Sequence, residues 1–224
     1  MERSTGPGVL GLDEAGRGSL IGPLVVGGFL VPEERLSELP ALGVRDSKLL
    51  SAARREEIYR SLSSVGRAFR IAADPAEVDR SVRHRGLNRL ELRLFSRLVA
   101  RARPRTVFAD ACDPVASRFA AQLGALAGED VEVRASHHAD RDIPVVGAAS
   151  IVAKVERDRA IARLARRLDA PIGSGYPSDR RTVEYVRQLL ASGTPAPPWL
   201  RQSWRTTERL KRETRARRLE SFSP

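Results

Sequence analysis

Hydrophobic positions along the chain switch between two periods, and the switches predict the elements. Residues 9–13 and 24–31 (LVVGGFLV) are short apolar runs of the kind that form buried strands. Residues 69–72 and 106–109 (TVFA) read as further strands, the latter ending at Asp110, and residues 131–135 alternate as a strand does. Helical spacing appears over residues 51–62, where Ile58 and Leu62 share a face. Asp74 followed by Pro75 is a cap-and-first-turn pair. Leu87, Leu90, Leu94 and Leu98 make one apolar stripe of a helix that Asn88 is expected to cap. An alanine-rich helix is predicted over residues 114–126, and the longest helix over residues 144–168, small and apolar in its first half and charged in its second. Residues 173–177 (GSGYP) break that pattern; a helix follows over about residues 178–190, three prolines end it, and a basic helical stretch runs over residues 199–220.

Strands alternating with helices predict an α/β fold built on a mixed sheet. The expected organisation is one catalytic domain over residues 1–193, then a small helical C-terminal segment over 194–224 that packs through Trp199 and Trp204. With 224 residues the chain can bury one sizeable core. It shows no repeats, no apolar run of membrane-spanning length and no signal-peptide layout at its start. Its single cysteine, Cys112, excludes an internal disulfide, so a cytoplasmic location is expected.

Charge changes the picture more than length does. The net charge is +11, and Lys48, Lys154 and Lys211 are the only lysines among the cations. A basic surplus of this size points to a polyanionic partner, and arginine grips phosphate as a planar fork. The alternative is an arginine-rich surface that only meets solvent.

The sharpest candidate chemistry is residues 11–18, Gly-Leu-Asp-Glu-Ala-Gly-Arg-Gly. Asp13 and Glu14 close an apolar strand and precede a glycine turn. Adjacent strand residues project to opposite faces, so a shared site requires the strand to end or twist there. Two carboxylates about 4 Å apart repel by roughly 4 kcal/mol at an effective dielectric near 20. Such a pair needs a proton or a hard cation such as Mg²⁺ or Mn²⁺. By itself, an Asp-Glu pair is more often a solvated acidic turn. Asp110, ending its own strand, is placed to join the same site. Asp113 precedes Pro114 and reads as a cap. The run His137-His138-Ala139-Asp140-Arg141-Asp142 is ambiguous: ligands, or a cap for the long helix. A zinc site is not expected, since His84 is the only other histidine.

Five motifs in order carry a family resemblance: GLDEAGRG at 11–18, RDSKL at 45–49, ADA at 109–111, AASIVAKVERD at 148–158 and GSGYPSD at 173–179. The match extends from about Val9 to Asp179, most of the chain, and it resembles ribonuclease HII, most of all the archaeal-type members. The resemblance implies a ribonuclease-H-like fold and four metal-binding carboxylates. Three match Asp13, Glu14 and Asp110; the fourth matches Asp140, with Asp142 a rival. It implies that Gly16, Arg17, Gly18 and Tyr176 read the ribose 2′-hydroxyl at an RNA–DNA junction, with the tyrosine ring on the next deoxyribose. Arg45, Ser47 and Lys48 are candidate phosphate contacts, or Asp46 and Ser47 only cap the helix near Ser51. Lys154 and Asp158, one turn apart, are a candidate ion pair. One departure is Ser19, where the family usually has proline; it is expected to loosen the loop.

The implied reaction is two-metal hydrolysis with Mg²⁺ or Mn²⁺, cutting RNA in RNA–DNA hybrids and cutting 5′ to single ribonucleotides in duplex DNA. The implied products are a 3′-hydroxyl and a 5′-phosphate. A monomer is expected. Residues 219–224 resemble a degraded sliding-clamp-binding box, with Leu219 and Phe222 at the right spacing but Ala216 and Ser223 at the glutamine and second aromatic positions. Two rivals are a type III ribonuclease H, whose extra N-terminal domain has no room before residue 13, and a silent hybrid binder, which would lack a carboxylate.

Overall fold

A computed structural model describes residues 8–44 and 50–220, with side chains through residue 216. The described residues group into two compact units whose segments interleave along the chain. One holds β1 (Gly8–Ala15), Val25–Ala72 and Asn88–Glu156; the other holds Gly16–Leu24, Ala73–Leu87 and the chain from Arg157 onward.

The first unit is a five-stranded sheet with helices against it. Its other strands are β2 (Leu24–Pro32), β3 (Arg67–Ala73), β4 (Thr106–Asp110) and β5 (Glu132–Ser136), in the order β3-β2-β1-β4-β5. β1 pairs antiparallel with β2 and parallel with β4, and β4 pairs parallel with β5, so the sheet is mixed as expected. The helices of this unit are α1 (Ala52–Leu62), α3 (Leu87–Ala102), α4 (Ala116–Ala127), α5 (Ala139–Asp142) and the first half of α6 (Pro144–Leu168).

Alternation along β1 sorts the two faces. Leu10 and Leu12 are fully buried on the face that meets α3, where both lie beside Gly28 together with Leu98. Val9, Gly11 and Asp13 take the other face. There Val9, Phe29 and Val31 pack with Ile58 and Leu62 of α1 and with Val145, Val146, Ala149 and Val152 of α6. The small side chains of α6 let its backbone lie almost on the sheet. A Cβ on Gly11 would stand 2.0 Å from the carbonyl oxygen of Val145, and one on Gly27 would stand 2.4 Å from that of Ala149. Glycine inside these strands is thus required by a helix, not by a turn.

The second unit contains α2 (Pro75–Arg83), the charged half of α6, α7 (Arg180–Ala191) and α8 (Arg205–Glu220). Its core gathers Leu20, Ile21, Ile161, Ile172, Val186, Leu200 and Leu210, with Trp199 and Trp204 packed against it. Among the described residues, no helix is long and apolar enough to cross a membrane.

Several element bounds differ from the sequence expectation, each for a local reason. Asn88 does not cap α3 but lies inside it, and its amide donates to Asp113 Oδ2 at 3.3 Å. Asp113 accepts from the Val115 amide at 2.8 Å, so α4 starts at Ala116. Residues 199–204 are not helical because their backbone is engaged elsewhere. Trp199 O accepts from Gly22 N at 2.9 Å, and Arg201 N donates to Leu20 O at 2.8 Å. Asp79 of α2, itself buried, accepts from the amides of Gln202 and Ser203 at 2.8 and 3.0 Å.

The contact between α6 and Gly11 gives a direct test. Gly11→Val forces the helix off the sheet and costs roughly 3 kcal/mol or more of stability. Thermal melting followed by circular dichroism reads this as a large fall in melting temperature or loss of the cooperative transition.

Candidate active site

Asp13 and Asp110 are brought together by strand register. The last paired residues of β1 and β4 are Leu12 and Ala109, so the two aspartates stand side by side one step beyond. Both belong to the face covered by α6, because Gly11 and Phe108, two residues earlier in each strand, are partners on that face. Asp13 is buried and pairs in register with Gly27, one of the two glycines against which the α6 backbone lies. Glu14 is half-buried and, by alternation, leaves the strand on the opposite side. Its backbone amide donates to Asp13 Oδ1 at 2.7 Å.

Asp140 enters from the short helix α5, and its side chain is 1% exposed. Asp110 Oδ1 accepts from the amide of Ala139 at 3.3 Å, which ties the start of α5 to the end of β4. Asp142, the rival position, is exposed at the far end of the same turn. His137 and His138 are also exposed.

Two side chains from α6 complete the cluster, and neither was singled out for it by sequence. Ser150 stands beside Asp13, and its hydroxyl partly offsets the rise in that carboxyl. Lys154, one turn further on, donates to Ser150 Oγ at 2.7 Å and stands 4.0 Å from Asp140 Oδ2. The lysine expected opposite Asp158 thus delivers its charge to the carboxylate cluster. Glu156, in the same motif, turns instead to Tyr59 and Arg70.

The electrostatic result is one-sided. Burial holds the Asp13 carboxyl well above the usual carboxylate range; the charges of Glu14 and Asp110 push it further up, and Ser150 and Lys154 only partly offset them. Desolvated oxygens crowded with like charge are what a hard divalent cation relieves, and the donors are all carboxylates. As placed, no group of three or more acidic, histidine or cysteine side chains among the described residues closes into a ligand set by itself. The donor chemistry therefore fits Mg²⁺ or Mn²⁺, while the coordination geometry is left to the ion.

The glycine loop that follows β1 belongs to the second unit and is built there. Gly16 has a φ of 87°, and a Cβ on it would meet the Pro23 carbonyl oxygen at 2.6 Å, so only glycine fits. The Gly16 amide donates to the Tyr176 hydroxyl oxygen at 2.9 Å. Tyr176 is held by the loop before α7. Asp179 Oδ2 accepts from Ser174 N at 2.7 Å, and Thr182 Oγ1 accepts from Gly175 N at 2.9 Å. Arg157, 1% exposed, stacks its guanidinium 4.1 Å from the Tyr176 ring centroid and donates to Ser174 O at 2.9 Å. Ser19 is tied into this loop. Its hydroxyl and its amide both donate to Gly16 O, at 2.9 and 3.3 Å, an amide contact proline could not make. Gly18 is exposed with open space around it. Arg45, Ser47 and Lys48 lie outside the described residues.

With this geometry in view, comparisons with known proteins agree with one another. The family described as Ribonuclease HII matches residues 10–207. A ribonuclease HII of Cenarchaeum symbiosum (strain A) is 44% identical over 198 residues, covering 88% of this chain and 95% of the relative. The solved ribonuclease H2 of Pyrococcus horikoshii OT3 superposes with a TM-score of 0.84 at 36% identity, covering 93% of this chain and 99% of that one. A solved complex of PCNA with ribonuclease HII from Archaeoglobus fulgidus gives a TM-score of 0.82 at 36% identity, over 91% and 96% of the two chains.

The raised Asp13 carboxyl has a definite sign. Its folded-state value lies above its unfolded one, so the unfolded chain loses this proton first as pH rises. The metal-free protein therefore loses stability from this group as pH climbs from the ordinary carboxylate range through the raised value. Asp13→Asn removes the charge and raises the metal-free melting temperature at pH 7 by roughly 2–4 °C or more. Differential scanning calorimetry across pH checks both the direction and the window.

Proposed function

The chain belongs to the ribonuclease HII family and is a ribonuclease H, an endoribonuclease acting on RNA–DNA hybrids; from that premise we propose that it also cuts duplex DNA on the 5′ side of a single embedded ribonucleotide, with divalent metal held by Asp13, Glu14, Asp110 and Asp140. The observation that carries the reading is the burial of Asp13 and Asp140 at one end of the sheet, with Asp110 ending the neighbouring strand and bonded to the start of α5.

When bound, two Mg²⁺ or Mn²⁺ ions supply a water of lowered pKa and positive charge beside the leaving 3′-oxygen, yielding a 3′-hydroxyl and a 5′-phosphate. The chain's own groups set up that chemistry. Ser150 orients the Asp13 carboxylate, and Lys154 balances Asp140 without supplying an oxygen ligand. Asp140 rather than Asp142 is the fourth ligand in this reading, because it is the buried one beside Lys154. Gly16, Arg17, Gly18 and Tyr176 bind the ribonucleotide. The Tyr176 oxygen already accepts from Gly16, and in this reading its own proton is donated to the substrate. The 2′-hydroxyl is the local mark of RNA, and backbone donors in a glycine loop approach it closely. Arg45, Ser47 and Lys48 contact phosphates on the strength of their motif. Exposed Arg205, Arg209, Arg212 and Arg215 of α8 offer a non-specific backbone contact. A sliding-clamp contact through Leu219 and Phe222 belongs to the same proposal; the complex of the Archaeoglobus fulgidus relative with PCNA supports it.

Cleavage of a DNA duplex containing one ribonucleotide, assayed with Mg²⁺ or Mn²⁺, tests the proposal. Wild type makes a single cut 5′ to the ribonucleotide, and Asp13→Asn lowers its rate by about 10³-fold or more, on the scale of losing metal-borne stabilisation. Cutting of long hybrids alone moves the specificity elsewhere. Binding without cutting under either metal leaves a hybrid binder.

A further inference from the structure

Arg201 is fully buried, yet it carries a charge in a chain whose other arginines are mostly spent on the surface. Two of its contacts are to backbone oxygens of the loop. Nη1 donates to Arg17 O at 2.9 Å and Nε donates to Gly22 O at 3.1 Å, one near each end of the loop that follows β1. The indole of Trp204 lies under the guanidinium, 5.0 Å from centroid to Cζ. The main chain repeats the grip, with Gly22 N donating to Trp199 O and Arg201 N to Leu20 O.

The Arg17–Gly18 peptide is trans, since no peptide bond among the described residues is cis. In a trans peptide the carbonyl oxygen and the next amide hydrogen point in opposite directions across one plane. Arg201 holds Arg17 O inward. The Gly18 N–H is thereby turned away from the buried guanidinium, at a residue that is exposed with nothing within 4 Å of its Cβ position. Five other amides of the loop are employed internally: Gly16 to Tyr176, Ser19 to Gly16, Leu20 and Ile21 to Gly175, Gly22 to Trp199. A cation on the carbonyl also polarises the peptide and strengthens the N–H as a donor.

We propose that Arg201 is a positioning residue that presets the Gly18 amide as a donor to the ribose 2′-hydroxyl oxygen of the substrate. This rests on the ribonucleotide reading above, and the ligand atom could otherwise be a phosphate oxygen, so the test separates the three. Affinity is measured by fluorescence anisotropy without metal for duplexes carrying, at one position, a ribonucleotide, a 2′-fluoro nucleotide or deoxyribose. Wild type prefers the ribonucleotide duplex. In Arg201→Gln that preference over the 2′-fluoro duplex falls by about fivefold, the worth of one hydrogen bond, and Arg201→Lys recovers part of it. Equal weakening toward all three duplexes overturns the proposal, as a phosphate contact or a general loss of fold would produce. A wild type without preference between the ribonucleotide and the deoxyribose duplex overturns the ribonucleotide reading itself. Should both variants unfold, the wild-type protein decides: the Gly18 amide resonance shifts on titration with the ribonucleotide duplex and not with its 2′-fluoro or deoxyribose counterpart, and no such difference overturns the proposal.

Discussion

A carboxylate buried among other carboxylates is unstable in its ionised form unless positive charge comes to it, and much of the first unit is arranged to keep Asp13 in that position. β1 and β4 run parallel, which sets Asp13 beside Asp110 at the same end of the sheet. α6 then covers them, and it can lie close enough only because Gly11 and Gly27 present no side chains to its backbone. That proximity is what brings Ser150 and Lys154 within reach of Asp13 and Asp140. Burial and the like charges of Glu14 and Asp110 make the ionised Asp13 carboxyl costly, and a divalent cation beside it would relieve that cost.

The second unit uses charge in the opposite sense. Arg157 and Arg201 are buried cations that donate to carbonyl oxygens and stack on aromatic faces, with Asp158 also 3.9 Å from Arg157. Arg157 stacks on Tyr176, and burial pulls its guanidinium below the usual arginine value. These residues fix loop shape. The planar guanidinium suits the task, because it spans two carbonyls at set angles while its face covers a ring. A strongly basic composition therefore conceals two populations, one serving the interior and one, on α8, meeting solvent.

Periodicity made the sheet and helices legible because each strand is a short apolar run and each helix has a clean stripe. The small apolar half of α6 correctly announced a helix pressed on a sheet. The carboxylates Asp13 and Asp110 were visible as strand ends. What escaped was set by distant backbone. Residues 199–204 carry a helical pattern but are drawn into pairing with residues 20–22. Lys154 has a neighbour of opposite charge one turn away, and its reach to Asp140 depends on where α5 is placed. Nothing in the spacing tells which of Asp140 and Asp142 is buried; the fold buries Asp140 and leaves Asp142 exposed. Ser19 looked like the loss of a rigid residue, whereas its two donors close the turn on Gly16 O.

The most direct measurement is the melting temperature of the protein titrated with Mn²⁺ in the absence of substrate, for wild type and for Asp13→Asn combined with Asp110→Asn. A cation held by these carboxylates stabilises the fold by about 2.7 kcal/mol at one hundred times its dissociation constant. The account predicts a rise of several degrees in wild type and none in the double variant. A wild type that does not respond, or a double variant that rises as far, would contradict it.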